Sequence, residues 1–368
     1  MKISGLQLFW LIVSTETASG ILFTLTPAIA EAKQDAWISV LLSGIIGLGV
    51  VYLAAKISLL YPDQTFIQFS QTILGKWLGK IIVLPYFVMW YSVDGVILRD
   101  SSDFLHLALF EKTPLTVLLF TQLILAVYVI YTSGIEGIAR CSEIVGPIIV
   151  LMVLGTCVLS LNHLDWQQLT PVYADSGLGP ILKGALPTAA YYSETVILMM
   201  VFCFLSDTRQ ALPRAMWGMA VPSLLVFVAA AVAIMTFGPL LSSRMWFPFY
   251  DMSRFISVLG FIQNVDILVV VVWMFSVFTK LSLFLFATTY GTAQWLNIKD
   301  WRKLIWVVVP IVFGFSLLPK NIAQAMIDYP QKFWLPYVMP INVFGIPLLL
   351  WIVGTIRKKR SNKKVRQQ

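Results

Sequence analysis

Three charged residues lie inside long apolar runs, where an isolated charge is energetically unfavourable. Glu16 lies in the run from about 6 to 30, Glu194 in 181 to 205 and Lys280 in 265 to 293. A lone charge in hydrocarbon costs roughly 3 kcal/mol or more, so we expect each to have a partner or to change its protonation. Lys280 is predicted to pair with Glu194 or Glu16, and the three are candidates for coupling or gating residues. A structural ion pair without a ligand role is the alternative.

The residues around the two glutamates predict interruptions in membrane helices. In the first run, Thr17, Ser19 and Gly20 follow Glu16, and we expect the helix to unwind near residues 18 to 20. In the sixth run, residues 184 to 194 contain a proline, two tyrosines, a serine and a carboxyl group. Non-helical backbone at membrane depth is tolerated only where protein encloses it or where it lines a wet cavity. Both segments are therefore predicted to line a binding site.

An interrupted helix offers free N–H groups at one side of the break and free carbonyls at the other. A zwitterionic amino acid carries a carboxylate and an ammonium at about that spacing. We expect the carboxylate to be held by Thr17, Ala18, Ser19 and Gly20, with carbonyls and a wall supplied by Tyr191, Tyr192 and Ser193. The alternative is that the small residues of the first run only permit close helix packing.

The third run contributes two further polar candidates. Tyr91 and Asp94, nearly one helical turn apart, could face the same cavity. Asp94 could equally pair with Arg99 near the outer surface, and that interpretation is slightly favoured. Asp266 is assigned to the start of the eighth run, where a carboxylate suits a helix N-terminus.

Composition places the chain in a membrane. Hydrophobic residues make up 58% and charged residues 12% of 368 residues, and the mean hydropathy is +0.83. A soluble chain of this length could not bury so much apolar surface. The net charge of +8 is concentrated in a basic tail at 357–368, which is typical of a segment facing anionic lipid, so no nucleic-acid partner is expected.

Runs of apolar residues predict ten spans of about 20 residues each. They cover about 6–30, 37–60, 81–98, 114–131, 142–161, 181–205, 211–237, 265–293, 304–318 and 334–356. Segment 63–80 is expected to form a helix on the membrane surface, and 246–264 a short helix over the outer face. Lysine and arginine are more frequent on the flanks that share a side with both termini, so both termini are predicted to be cytoplasmic.

Spans one and six are five apart and cross in opposite senses. Paired interrupted segments of this kind are typical of inverted-repeat transporters with a site at the midplane. We therefore expect an all-α membrane protein with a LeuT-like 5+5 arrangement. The domain would span 1–356, with repeats at about 6–161 and 181–356.

The sequence gives little support to enzymes, metalloproteins or disulfide-rich proteins. Its three cysteines have no paired spacing, its two histidines are isolated, and no phosphate loop or catalytic triad is present. No enzyme activity, cofactor or metal is expected. The N-terminal run is too long, and too polar at Glu16, for a cleaved signal peptide.

Four segments together resemble the spore germination permease family within the amino acid, polyamine and organocation superfamily. They are residues 17–22, 73–80, 191–194 and 265–282. Relatives often carry glycine where this chain has Ser193.

The resemblance implies the B subunit of a nutrient germinant receptor in the spore inner membrane, with A and C subunits as partners. It also implies an amino-acid site between spans one, three, six and eight. A proton-coupled amino acid transporter is the alternative, because sensors and carriers share the fold. An ion path is a third alternative, and it would need rings of polar residues along a span, which the sequence does not show.

Overall fold

The computed structural model describes residues 1–173, 177–256 and 265–365, apart from the side chains of 163 and 360–365, and it is helical nearly throughout. The α-helices are α1 Gly5–Phe23, α2 Leu25–Ala32, α3 Ala36–Ser58, α4 Phe66–Leu74, α5 Lys76–Ile82, α6 Leu84–Ala108, α7 Leu115–Leu159, α8 Leu178–Ser193, α9 Ala211–Ser242, α10 Pro248–Arg254, α11 Val265–Leu296, α12 Arg302–Ser316 and α13 Ile346–Val365. Segments of 3-10 helix cover Lys33–Asp35, Leu161–His163, Trp166–Leu169, Glu194–Met200, Phe202–Phe204 and Thr208–Gln210, and π-helix covers Gln324–Asp328 and Pro330–Gly345.

Seven helical stretches of the described residues are long and apolar enough to cross a membrane. One of them, α7, has 45 residues and is therefore about 68 Å long, twice the thickness of the hydrocarbon. It turns at Gly134, whose φ of 56° and ψ of −146° are not helical. Helix α7 thus supplies spans four and five. Helix α8 with the segment after it, and α12, correspond to spans six and nine.

Contacts between connecting segments show that the crossings alternate. At one end, the Ile3 N–H donates to the Phe204 carbonyl at 2.8 Å, and the Lys2 N–H donates to Glu136 Oε1 at 2.6 Å. At the other end, the Thr26 hydroxyl donates to the Met245 carbonyl at 2.7 Å. The N-terminus and the connections after spans four and six therefore share one face, while those after spans one and seven share the opposite face.

The break predicted in span one lies elsewhere than at residues 18 to 20. Residues 18 to 20 are helical within α1, and the helix axis is interrupted at Thr24 instead. Pro27 explains the position, because its ring nitrogen has no proton to donate to the carbonyl of Phe23 four residues earlier. The Thr24 hydroxyl compensates in part by donating to the Gly20 carbonyl at 2.6 Å. The expectation of unwound backbone at Ala18 to Gly20 was wrong.

Span six changes its helix type close to the predicted position. Helix α8 ends at Ser193, and seven residues of 3-10 helix follow from Glu194. The Ser193 and Thr195 hydroxyls donate to the carbonyls three residues earlier, each at 2.7 Å. Such side-chain bonds compete with the regular helical pattern and favour its tightening. Glu194 is thus the first residue beyond the α-helix.

Helices α4 and α5 differ from the predicted surface helix. They are separated at Gly75, which has a φ of 92°. Phe66 and Phe69 are fully buried, and the Phe66 ring lies 4.2 Å from that of Tyr86, centroid to centroid. The apolar face of α4 therefore packs against the protein, and the expectation that the segment lies on the membrane was wrong for α4. On α5, by contrast, Trp77 is 79% exposed, and for that part the expectation stays a prediction. A helical period in the sequence cannot tell which apolar surface covers it.

Helix α6 continues ten residues beyond the predicted end of span three. Arg99, which was assigned to the outer flank or to Asp94, is 7% exposed and pairs with Asp103 at 2.8 Å. Its guanidinium also donates to the carbonyl of Pro319. The proposed pairing with Asp94 was wrong, because an i,i+4 carboxylate lies on the same face of the helix. The assignment of the two repeats to 6–161 and 181–356 stays a prediction.

Candidate functional site

A buried ion pair joins span eight to the break in span six. Lys280, on α11, is 1% exposed, and its Nζ lies 2.6 Å from Glu194 Oε2. The same ammonium donates to the Ser19 hydroxyl of α1 at 3.0 Å and lies 5.6 Å from the centre of the Tyr191 ring. Glu16 also interacts electrostatically with it. One lysine therefore connects α1, α8 and α11, with the partner predicted from sequence.

Tyr191 connects that ion pair to a second carboxyl group. Its hydroxyl donates to Asp100 Oδ2 at 3.3 Å, while its ring faces Lys280. Asp100 lies on α6 and is 2% exposed. Charged groups are rarely buried to this degree without a function or a partner.

A cavity lies between these groups. The space outside the protein atoms there measures about 440 Å³ when open solvent is included. Its walls come from α1, α6, α8, α11, the 3-10 segment that begins at Glu194 and the π-helix that begins at Pro330. Its lining residues include Ser19, Asp100, Tyr191, Glu194, Tyr329 and Trp334. The arrangement is an apolar, largely aromatic chamber with a few charged groups. Of the site residues predicted from sequence, Ser19, Tyr191 and Glu194 line it.

Trp334 fixes the end of α8. Its indole Nε1 donates to the Ser193 hydroxyl at 2.7 Å, and both side chains are buried. Trp334 lies in the π-helix Pro330–Gly345, where three prolines remove N–H donors and so disturb the usual hydrogen-bond pattern. Ser193 thus binds protein, and its contact is with the wall of the cavity.

Two predicted residues of span one face a different cavity. Thr17 and Ala18 line an apolar space between α1, α7, α10 and α11. The Thr17 hydroxyl donates to the Val13 carbonyl at 2.7 Å, and the Ala18 carbonyl accepts the Trp273 indole N–H at 3.3 Å. Their polar groups are therefore used within the protein.

Gly20 and Tyr192 lie at the contact of α1 with α9. A Cβ at Gly20 would come within 2.8 Å of Val226, and the Tyr192 hydroxyl lies 3.5 Å from the Pro222 carbonyl. Gly20 therefore permits close packing of α1 against α9, which was the alternative given for the small residues of span one.

Tyr91 and Asp94 bind threonines of α11 outside the larger cavity. The Tyr91 hydroxyl lies 3.2 Å from that of Thr292, and Thr288 donates to Asp94 Oδ2 at 2.6 Å. No cluster of histidine, cysteine and acidic side chains suited to a metal ion was found among the described residues.

Sequence reasoning missed Asp100, Tyr329 and Trp334. Asp100 was placed beyond the end of span three, although Val93, Ile97 and Asp100 repeat at the spacing of one helix face. That spacing was the available signal. No comparable signal points to Trp334, because its contact with Ser193 joins residues 141 positions apart.

Comparisons with known proteins identify a family and relatives that match this chain over most of its length. The family model described as "Spore germination protein" matches residues 2–325. The chain is 28% identical over 368 residues to spore germination protein YndE of Bacillus subtilis (strain 168), covering 97% of this chain and 98% of that protein. It is 28% identical over 374 residues to spore germination protein KB of the same organism, covering 98% and 97%. The likeness therefore extends over the full length.

Solved transporter structures share the fold. Mhp1, a nucleobase-cation-symport-1 family transporter with bromovinylhydantoin bound, superimposes with a TM-score of 0.66 at 12% identity, covering 96% of this chain and 90% of Mhp1. MhsT in complex with L-phenylalanine gives a TM-score of 0.62 at 12% identity, covering 95% and 97%. The predicted all-α, LeuT-like membrane fold is confirmed.

Proposed function

The chain belongs to the spore germination protein family, and from that premise we propose that it is the integral membrane B subunit of a nutrient germinant receptor. It binds a small germinant, an amino acid, in the cavity between spans one, three, six and eight. It passes the binding signal to A and C subunits in the spore inner membrane. The observation that carries the proposal is the cavity at the change of helix type in span six, bordered by the Lys280–Glu194 ion pair.

Ligand binding is tested by thermal shift. The purified full chain is screened against the common amino acids, sugars and nucleosides, because a ligand that prefers the folded state raises the melting temperature. The Val277→Phe variant narrows the cavity and should lose the shift, whereas Val271→Phe, on the exposed face of α11, should keep it. A shift of equal size in both variants would place the ligand elsewhere.

A proton-coupled amino acid transporter is the second candidate. It is favoured by the transporter fold and by buried carboxyl groups at Glu16, Asp100 and Glu194. Uptake of a labelled amino acid into proteoliposomes separates the two functions. Binding without accumulation supports the sensor, and accumulation driven by a proton gradient supports the transporter.

A further inference from the structure

Asp100 and Glu194 each line the cavity with a carboxylate oxygen that accepts no hydrogen bond within the described part of the chain, but only Glu194 of the two has a cation beside it, the Lys280 ammonium at 2.6 Å. The Asp100 Oδ2 accepts the Tyr191 hydroxyl, but its buried Oδ1 has no hydrogen-bond partner among the described residues. The side chain is 98% buried and lines the cavity. A buried carboxylate oxygen without a donor costs free energy that a donor within the cavity would recover.

The buried cations of the described part of the chain are already engaged. Lys280 pairs with Glu194, and Arg99 pairs with Asp103 while donating to carbonyls near the end of span nine. These two are the basic side chains that are buried there. Asp100 therefore has no cation within ion-pair distance among the described residues, and the charge of a ligand can supply one.

The rest of the lining suits an ammonium on an apolar body. Phe23, Tyr191, Tyr329 and Trp334 surround the space, and aromatic faces attract organic cations. The Phe23 and Tyr191 rings are stacked at 6.2 Å, and those of Tyr329 and Trp334 lie 6.4 Å apart, centroid to centroid. A carboxylate enclosed by aromatic rings is the common arrangement for holding an amine.

A ligand carboxylate finds no comparable anchor on α1. Because α1 continues through Phe23, the backbone N–H groups of residues 17 to 20 are used within the helix. The ammonium of Lys280 is already held by Glu194 and Ser19. The sites that sequence analysis assigned to a carboxylate are thus occupied by the protein itself.

We propose that Asp100 is the anchor for a ligand's protonated amine and that the cavity selects a small apolar body bearing an ammonium. The ligand's carboxylate is dispensable. This inference rests on the proposed ligand-binding function and goes beyond it by naming the recognising residue and the group recognised. Tyr191 acts as a positioning residue, because its hydroxyl holds one oxygen of Asp100 and so directs the other towards the ligand.

The first test uses the wild-type chain and matched probes. L-Alanine, L-valine, L-leucine and L-phenylalanine are each compared by thermal shift with the amine that lacks the carboxylate and with the acid that lacks the amine. Ethylamine, isobutylamine, isoamylamine and phenethylamine are the matched amines. We expect at least one amino acid and its amine to bind within about tenfold of each other, and the acid to bind at least about tenfold more weakly.

The second test uses two variants of one helix. Asp100→Asn keeps the shape and an acceptor for Tyr191 but removes the charge, and it should weaken amine binding by about tenfold or more. Asp94→Asn makes the same change at a buried aspartate of α6 that lies outside the cavity, and binding should stay within about twofold. If Asp100→Asn fails to fold, the probe comparison in the wild-type chain still decides.

Each result has one meaning. Equal binding of the acid and the amine, or unchanged binding in Asp100→Asn, would overturn the role of Asp100 and leave the proposed function standing. A wild-type chain that binds only sugars or nucleosides would overturn the role of Asp100 and the amino acid as ligand, and would leave only the binding of a small germinant standing. A wild-type chain that binds no probe of any class would refute the ligand-binding function, and the amine anchor with it.

Discussion

Lys280 shows how one residue can hold three elements of a membrane protein together. Its ammonium is 1% exposed and contacts Glu194 and Ser19. Desolvation of a buried ion pair offsets most of its attraction, so the pair adds little net stability as long as both partners are present. Removing one partner has a much larger effect, because the other charge is left alone in the interior.

The ion pair can be tested by a double-mutant cycle. Lys280→Met is expected to destabilise the protein by about 3–5 kcal/mol, because Glu194 would stay buried without a counter-charge. Lys280→Met with Glu194→Gln should recover most of that loss, since neither charge remains. Thermal unfolding of the detergent-purified chain measures both. If the loss of stability in the double variant equals the sum of the losses in the two single variants, the pairing is contradicted.

The same lysine is expected to be required for signalling. Spores carrying Lys280→Met should lose their response to the germinant even at normal protein levels. The conservative variant Lys280→Arg keeps the charge and should retain part of the response, although a guanidinium differs in shape from an ammonium. A wild-type response in Lys280→Met spores would leave the ion pair with a structural role alone.

At the scale of elements, proline and glycine decide where the spans change direction. Pro27 accounts for the interruption at Thr24, and Gly134 accounts for the turn between spans four and five. The sequence-based prediction of a break at residues 18 to 20 relied on small and polar residues instead. Gly20 serves helix packing, and Ser19 accepts a hydrogen bond from Lys280, so these small residues are used without any exposed backbone. Residue type alone could not separate the two uses.

Gly134 offers a test of this explanation. Its φ of 56° with ψ of −146° lies in a region that is essentially restricted to glycine, and a Cβ there would lie 3.2 Å from the sulfur of Met1. Gly134→Ala should therefore destabilise the protein by about 1–3 kcal/mol.

Gly155→Ala is the matched control on the same helix. A Cβ at that position has no atom within 4 Å, so stability should be unchanged or slightly higher. Thermal unfolding of the two variants makes the comparison. Equal melting temperatures would show that the turn does not depend on glycine.

At the scale of the whole molecule, contacts between connections divide the chain into two faces. Ile3 pairs with the segment after span six in a short parallel bridge. Arg302, after span eight, donates to the Tyr131 carbonyl near the connection that holds Lys2. Lys80 donates to the Trp295 carbonyl at 2.8 Å. The connections after spans two and eight thus join the N-terminus there. Which face is cytoplasmic is predicted from the distribution of lysine and arginine.

Reporter fusions test that orientation. A green fluorescent protein fused after Gln368 should be fluorescent in cells, and an alkaline phosphatase fused there should be inactive, because both termini are expected in the cytoplasm. A phosphatase inserted after Lys33 should be active, since that connection lies on the opposite face. An active phosphatase at the C-terminus would reverse the predicted orientation.

Composition and the positions of charged residues within apolar runs were sufficient to determine the membrane class and to predict the ion pair of Lys280 with a glutamate. These features follow from the cost of polar groups in hydrocarbon, which acts on each segment separately. The tertiary structure alone decided that Asp100 and Trp334 border the cavity and that Thr17 and Gly20 do not. Those placements depend on which faces of α1, α6 and the π-helix meet, and a hydrophobic period in one segment contains no information about its neighbour across the cavity.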